Sequence, residues 1–373
     1  MLLRLRRRLG PRGWPVALVF AAFVASRAVA VGATHIGAAF MTPERAAMWE
    51  WRENRSDLFL GPPPPAFLAP LVRWDANYYL ALARAGYPPP RADGGPVHHL
   101  AFFPLYGLVV REVARACGIF WAAFAVSNAC TLAAALLLLR LGLWRRADGV
   151  RAAVLFLCSP GAHFFAYPYT EAMFAAALAA TLVLLRCGRF LTAALPGAAA
   201  SATRSPGVGA AVALFAHAVE ARRLRPAMAG VLSLAGLAAF MAWCRSAHGD
   251  ALAFVHMQAL HQRHLTVLGP VRALFAFDTD PDYYLVTLVS IALVVWMVRR
   301  TPAWAWATAA FLTWLPLATG TMAAMIRYQA ANVPLFCGAP GVLRGRRFWW
   351  TCAACLLLMA LEAFLFGKGI GHY

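Results

Sequence analysis

This chain is short of charge and almost empty of lysine. Only 13% of its 373 residues are Asp, Glu, Lys or Arg, and Lys368 is the single lysine among 34 basic residues. A soluble domain carries roughly 25% charge, so an ordinary cytosolic enzyme is excluded, as are a disordered chain and a coiled coil. The alternating segments of a transmembrane barrel are missing. So are a Walker motif, GxGxxG in a strand–helix context, HExxH and GxSxG, which argues against nucleotide-driven pumps and zinc proteases. The eight cysteines lie mostly inside apolar runs, and Cys352 and Cys355 form a lone CxxC within one of them. With no second pair, free thiols are the expectation and a metal site is not. His256, His261 and His264 lack the spacing of a metal triad. Acids are scarce as well, 15 against 34 bases for a net charge of +19. The bases sit in short clusters between apolar runs, as in cytoplasmic loops, so the excess speaks for membrane topology and against nucleic-acid binding.

What is present in quantity is apolar surface: 62% of the residues are hydrophobic. At about 20 residues per span, that fills at most about eleven spans. The pattern predicts an all-α polytopic membrane protein with spans at 14–37, 121–141, 152–167, 171–185, 190–203, 206–219, 226–244, 283–298, 302–319, 323–343 and 348–366. Arg4, Arg6, Arg7 and Arg8 precede an apolar run too long for a secretory signal, so 14–37 reads as a retained anchor. In this layout the inner segments hold 19 bases and two acids, Asp148 and Glu220, while the outer segments hold 14 bases and 12 acids. The N-terminus is therefore assigned to the cytoplasm. Several central spans are short, and Pro160, Pro196 and Pro206 predict broken helices that line an outward-facing cavity. The run 100–117 is expected to be re-entrant or interfacial. Trp304, Trp306, Trp314, Trp349 and Trp350 are expected in interfacial belts.

The first outer loop, 41–120, is too long for a connector. Four prolines at 62–65 predict a stiff spacer. LVRWDANYYLALARAGY follows at 71–87 and places Trp74, Tyr78 and Leu82 at i, i+4 and i+8, the pattern of an amphipathic helix at the outer interface. Asp75 at its start has two readings. It caps the helix, or it is a carboxylate at the membrane surface that takes a proton from an acceptor hydroxyl. Glu171, at the mouth of 171–185, either favours the helix dipole with Thr170 as cap or is functional. Arg204 and Arg327 lie on the outer side, against the topological trend. They either pair with Asp278, Asp280 or Asp282, or hold a phosphate, whose oxygens match a guanidinium fork. Arg27 is a weaker candidate that can also snorkel.

Four ordered segments carry a resemblance: RWDANYYLALARAGY at 73–87, FFPLYGLVVR at 102–111, SPGAHFFAYPYTEAMF through SATRSPG at 159–207, and IRYQAANVPLF at 326–336. Together they resemble the PIG-V family, the second mannosyltransferase of glycosylphosphatidylinositol anchor synthesis, and its bacterial relatives. The resemblance implies one integral membrane GT-C domain over 1–373, with a first span, a large extracytoplasmic loop at 41–120 bearing juxtamembrane helices, and a helical bundle at 121–366. It implies a polyprenyl-phosphate sugar donor, mannose in the typical case, and inversion at the anomeric centre. Asp75 matches the family's WD aspartate, which makes it the general base. Glu171 matches the PY(S/T)E acid and is the second catalytic candidate. Arg204, Arg327 and Tyr328 fall where the donor phosphate is held, and Trp74, Tyr78, Tyr169 and His163 fall around the substrate pocket. Pro206 stands where the family more usually has Asn, and Gly107 where it has Pro. Two arginines can stabilise a polyprenyl phosphate leaving group electrostatically, so no metal or cofactor is expected. The expected acceptor is an extracytoplasmic glycolipid, polymer or protein, and the expected location is the cell membrane. A polytopic transporter or lipid flippase, or a structural membrane subunit, are the alternatives.

Overall fold

Pro160 illustrates how this sequence folds. The residue before a proline is pushed out of the helical region, and Ser159 is extended at φ −59°, ψ 150°. The helix ends at Cys158, and the chain continues as a 3-10 helix at Pro160–Ala166, bent by 77° from the helix before it. The computed structural model describes residues 2–47, 63–92, 95–261 and 263–371, and every regular element among them is helical. The first proline of the expected spacer, Pro62, lies outside the described residues.

The principal helices are α1 (Leu2–Ala39), α2 (Asp75–Ala85), α3 (Pro104–Cys117), α4 (Ile119–Leu138), α5 (Arg146–Cys158), α6 (Glu171–Arg186), α7 (Phe190–Thr203), α8 (Gly209–Ala221), α9 (Leu224–Leu232), α10 (Ala235–His248), α11 (Pro281–Met297), α12 (Ala303–Leu317), α13 (Met325–Ala330), α14 (Val333–Gly338) and α15 (Gly345–Gly367). Among the described residues, four stretches are long and apolar enough to cross a membrane: Gly13–Ala39, Ile119–Leu138, Leu224–His248 and Gly345–Gly367. The bent pair around Pro160 makes a fifth.

The first and last of these stretches pack together. A Cβ at Gly37 would run into the carbonyl oxygen of Phe364, and one at Gly367 into that of Thr34. Small residues of this kind let membrane helices approach backbone to backbone. Thr34 also meets Tyr167, Oγ1 to hydroxyl at 2.5 Å, which ties α1 to the 3-10 segment beside it.

Three expectations need correction. The stretch 323–343 is not one helix but α13 and α14 with a break at Ala331–Asn332. Pro334 stands in the first turn of α14, where its missing N–H does no harm but where it cannot extend the helix before it. The helix at 75–85 does turn one face inward, but not the Trp74–Tyr78 stripe expected, since Asp75, Tyr78, Ala81 and Arg84 stay half-exposed. Its Tyr79, Leu80, Leu82 and Ala83 are all buried, because α3 and α4 close over it. Trp304 belongs to the core instead of a belt, while Trp314, Trp349 and Trp350 are exposed. The run 100–117 forms a 3-10 turn at His98–Ala101 and then α3, which Pro104 opens.

Candidate functional site

The site begins at two helix starts. Asp75 is the first residue of α2 and Glu171 the first of α6, positions where a helix dipole favours a carboxylate. Two hydroxyls clamp these starts together. The Tyr169 phenol donates to the Arg73 carbonyl at 2.8 Å. Tyr79 and Thr170 share a hydrogen bond of 3.2 Å. Trp74, immediately before Asp75, has φ 50°. A bulky residue there is strained by about 1–3 kcal/mol, a pattern found where surrounding structure forces a functional geometry. Asp75 is therefore not a cap: Trp74 holds that position. Thr170 does precede α6, but its hydroxyl goes to Tyr79, not to the helix end.

Two arginines from distant segments complete the site. Arg327 Nη1 donates to Asp75 Oδ2 at 2.6 Å. Its Nε lies 3.1 Å from Glu171 Oε1. The same oxygen is 2.5 Å from Arg204 Nη1. The result is a continuous chain of alternating charge, Asp75–Arg327–Glu171–Arg204. The arginines do not pair with Asp278, Asp280 or Asp282, since these nearer carboxylates satisfy them. The side chains differ in access: Asp75 is 25% exposed, Arg204 9%, Arg327 5% and Glu171 1%. Of the two carboxylates, Asp75 is the one a substrate can reach.

Aromatic rings line the chain of ion pairs. Arg204 sits 4.9 Å from the centroid of Tyr328, and Arg327 sits 5.7 Å from it. Arg327 is also 5.6 Å from Tyr169 and 5.7 Å from Phe164, all within cation–π range. The Tyr328 hydroxyl accepts from Arg263 Nη1 at 3.4 Å. Trp74 packs on Phe366 and Tyr78 stacks on Phe102, each at 4.5 Å. Tyr169 and His163, expected around the substrate pocket, are both fully buried. Tyr169 is a strut under Arg327. His163 is packed between Phe164, Tyr167 and Phe366, with Nδ1 3.0 Å from the Pro160 carbonyl. Arg27 donates to the Ala162 carbonyl at 2.9 Å, bracing the same 3-10 segment.

Sequence reasoning missed Tyr79, whose neighbour Tyr78 fits the amphipathic spacing better. Burial first, and the carboxylates of Glu171 and Asp75 second, push the Tyr79 phenol well up, so it stays protonated. Arg263, in the segment between α10 and α11, was missed too, because a lone basic residue in a loop carries no pattern.

A cavity of about 120 Å³ adjoins the ion pairs, bounded by Phe103, Ser205, Pro206, Gln258, Arg263 and Tyr328 among others. A larger cleft of about 1010 Å³ lies between Gly188–Thr192 and Arg223–Arg225. It sits at the opposite end of α7 from Arg204, roughly 21 Å away at 1.5 Å per residue. Arg186 likewise ends the helix that Glu171 begins. The ion-pair chain and the Arg-rich turns thus occupy opposite ends of the same helices.

Residues 64–227 match the family profile described as mannosyltransferase (PIG-V). That stretch contains Asp75, Glu171 and Arg204. No curated protein matches the chain.

Proposed function

We propose that this chain, whose residues 64–227 match the PIG-V mannosyltransferase profile, moves a sugar, mannose by that likeness, from a polyprenyl-phosphate donor to an acceptor hydroxyl, with Asp75 as general base. The observation that carries the reading is the chain Asp75–Arg327–Glu171–Arg204, in which Asp75 is the carboxylate open to substrate. The acceptor O–H gives its proton to the Asp75 carboxylate. Its oxygen attacks the anomeric carbon from the face opposite the phosphate. The carbon–oxygen bond to phosphate breaks, the electron pair leaves with the polyprenyl phosphate, and the anomeric centre inverts. A positioned base of this kind contributes roughly 10²–10⁴-fold to rate.

Glu171 acts as a positioning residue that holds both guanidiniums in place. Arg204, Arg327 and Tyr328 face the donor phosphate, with Trp74 and Tyr78 at the edge of the pocket. We read the architecture as GT-C, with the short and broken helices counted among up to eleven spans in a single domain. The N-terminus and the Arg-rich turns are cytoplasmic and the site is extracytoplasmic in the cell membrane. The acceptor is a glycolipid, a polymer or a protein on that side. Charge on the leaving phosphate is met by arginine, so the scheme calls on no metal or cofactor.

The test is incubation of the purified protein with polyprenyl-phosphate mannose and a membrane lipid extract, read by mass spectrometry. A gain of one hexose on a lipid is the expected result. Movement of lipid across a reconstituted bilayer with no change in its mass would overturn the reading in favour of a transporter.

A further inference from the structure

We infer that Arg263 supplies the uncompensated positive charge that binds the donor's phosphate, an inference that rests on the transferase reading above. Arg327 faces Asp75 and Glu171, and Arg204 faces Glu171. Two cations and two anions leave the ion-pair chain neutral. A sugar phosphodiester carries one negative charge, and the phosphate that departs carries up to two. A neutral cluster alone offers that growing charge little.

Arg263 stands where the balance changes. Among the described residues it is the only charged one lining the cavity beside Tyr328. Among the described residues no carboxylate lies within ion-pair distance of it. Its guanidinium donates to the Tyr328 hydroxyl at 3.4 Å, a long contact that leaves most of its donors for a ligand. Tyr328 in turn stacks against Arg204 and Arg327. Arg263 therefore extends the line of guanidiniums into the cavity without a matching acid. Its volume of about 120 Å³ is several times the share of one water molecule, roughly 30 Å³, which admits a small polar group.

The segment bearing Arg263 is held in place. The Arg263 N–H bonds to the Gln258 carbonyl at 3.1 Å, and the N–H groups of His264 and Thr266 reach Thr319 and Ala318, at 3.3 and 2.9 Å. These bonds pin the loop to the end of α12. On the facing side, Phe103 packs on Phe254 at 5.2 Å, giving the cavity an apolar wall against which a guanidinium–phosphate contact gains strength. In the reaction, the electron pair of the breaking bond ends on the phosphate oxygen, and Arg263 meets the second negative charge there.

The experiment measures transfer from polyprenyl-phosphate mannose, and its inhibition by free polyprenyl phosphate, in wild type, Arg263→Gln and Arg263→Lys. For Arg263→Gln the donor KM and the inhibition constant rise roughly 10- to 100-fold, the worth of one charged hydrogen bond. The acceptor KM and thermal stability stay put. Arg263→Lys keeps the charge but loses the fork, so it recovers part of the loss. It also serves as the test if the Gln variant fails to fold: donor KM must then rise in Lys while acceptor KM does not. Wild-type donor KM and inhibition in both variants would overturn the role of Arg263 and leave the transferase reading standing. Absence of transfer by wild type would remove both.

Discussion

Asp75 and Arg327 are 252 positions apart in the chain and 2.6 Å apart in the fold. Each sits just after a non-glycine residue with positive φ: Trp74 at 50° precedes Asp75, and Ala324 at 66° opens the helix that carries Arg327. Two strained backbones held face to face imply that the surrounding packing dictates this pairing.

Replacing Asp75 by Asn keeps the shape of the side chain and removes its ability to take a proton. We expect transfer to fall by about 10²–10⁴-fold, with normal protein level and membrane insertion. Initial rates on the purified variant check this, and unchanged turnover would remove Asp75 from the mechanism.

Glu171→Gln should behave differently. This carboxylate is closed to solvent and faces two guanidiniums, so its loss leaves buried positive charge uncompensated. Breaking a buried pair costs about 3–5 kcal/mol. The expected signature is a large drop in thermal stability in detergent, greater than that of Asp75→Asn. Equal melting temperatures for the two variants would contradict the positioning role.

A third variant tests the scaffold without touching a charged group. Gly161 lies against the Ile326 carbonyl, and any Cβ there collides with it. Gly161→Val should push the 3-10 segment away from the Arg327 helix and cut transfer roughly 10²-fold, as expected for a displacement of about 1 Å at the chemistry. A charge-neutral substitution that leaves activity intact would show that this approach does not set the site.

Much of the helical layout is legible in the chain itself. Runs such as 14–37, 121–141 and 348–366 announce themselves because a bilayer accepts only segments whose backbone groups bond internally. Local breaks are also readable where proline causes them, as at Pro160, but Pro196, expected to break a helix as well, sits inside α7 without interrupting it. The break after Ala330 was not, because an apolar sequence of the right length looks like one span whether or not it is continuous. Within the site, Asp75, Glu171, Arg204 and Arg327 were individually visible as charges in an apolar setting. Their partners were not, and Asp278, Asp280 and Asp282 looked equally suitable.

The sequence by itself determined that this is a helical membrane protein and which few ionisable groups must be accounted for, since hydrophobic run length and the scarcity of charge are properties of the chain alone. Only the tertiary structure decided that Arg327 meets Asp75, that Glu171 bridges two arginines, that Tyr79 and not Tyr78 clamps the helix starts, and that Arg263 has no acid beside it among the described residues. Pairing between segments hundreds of residues apart follows from how the helices pack, and no periodicity along one helix encodes it.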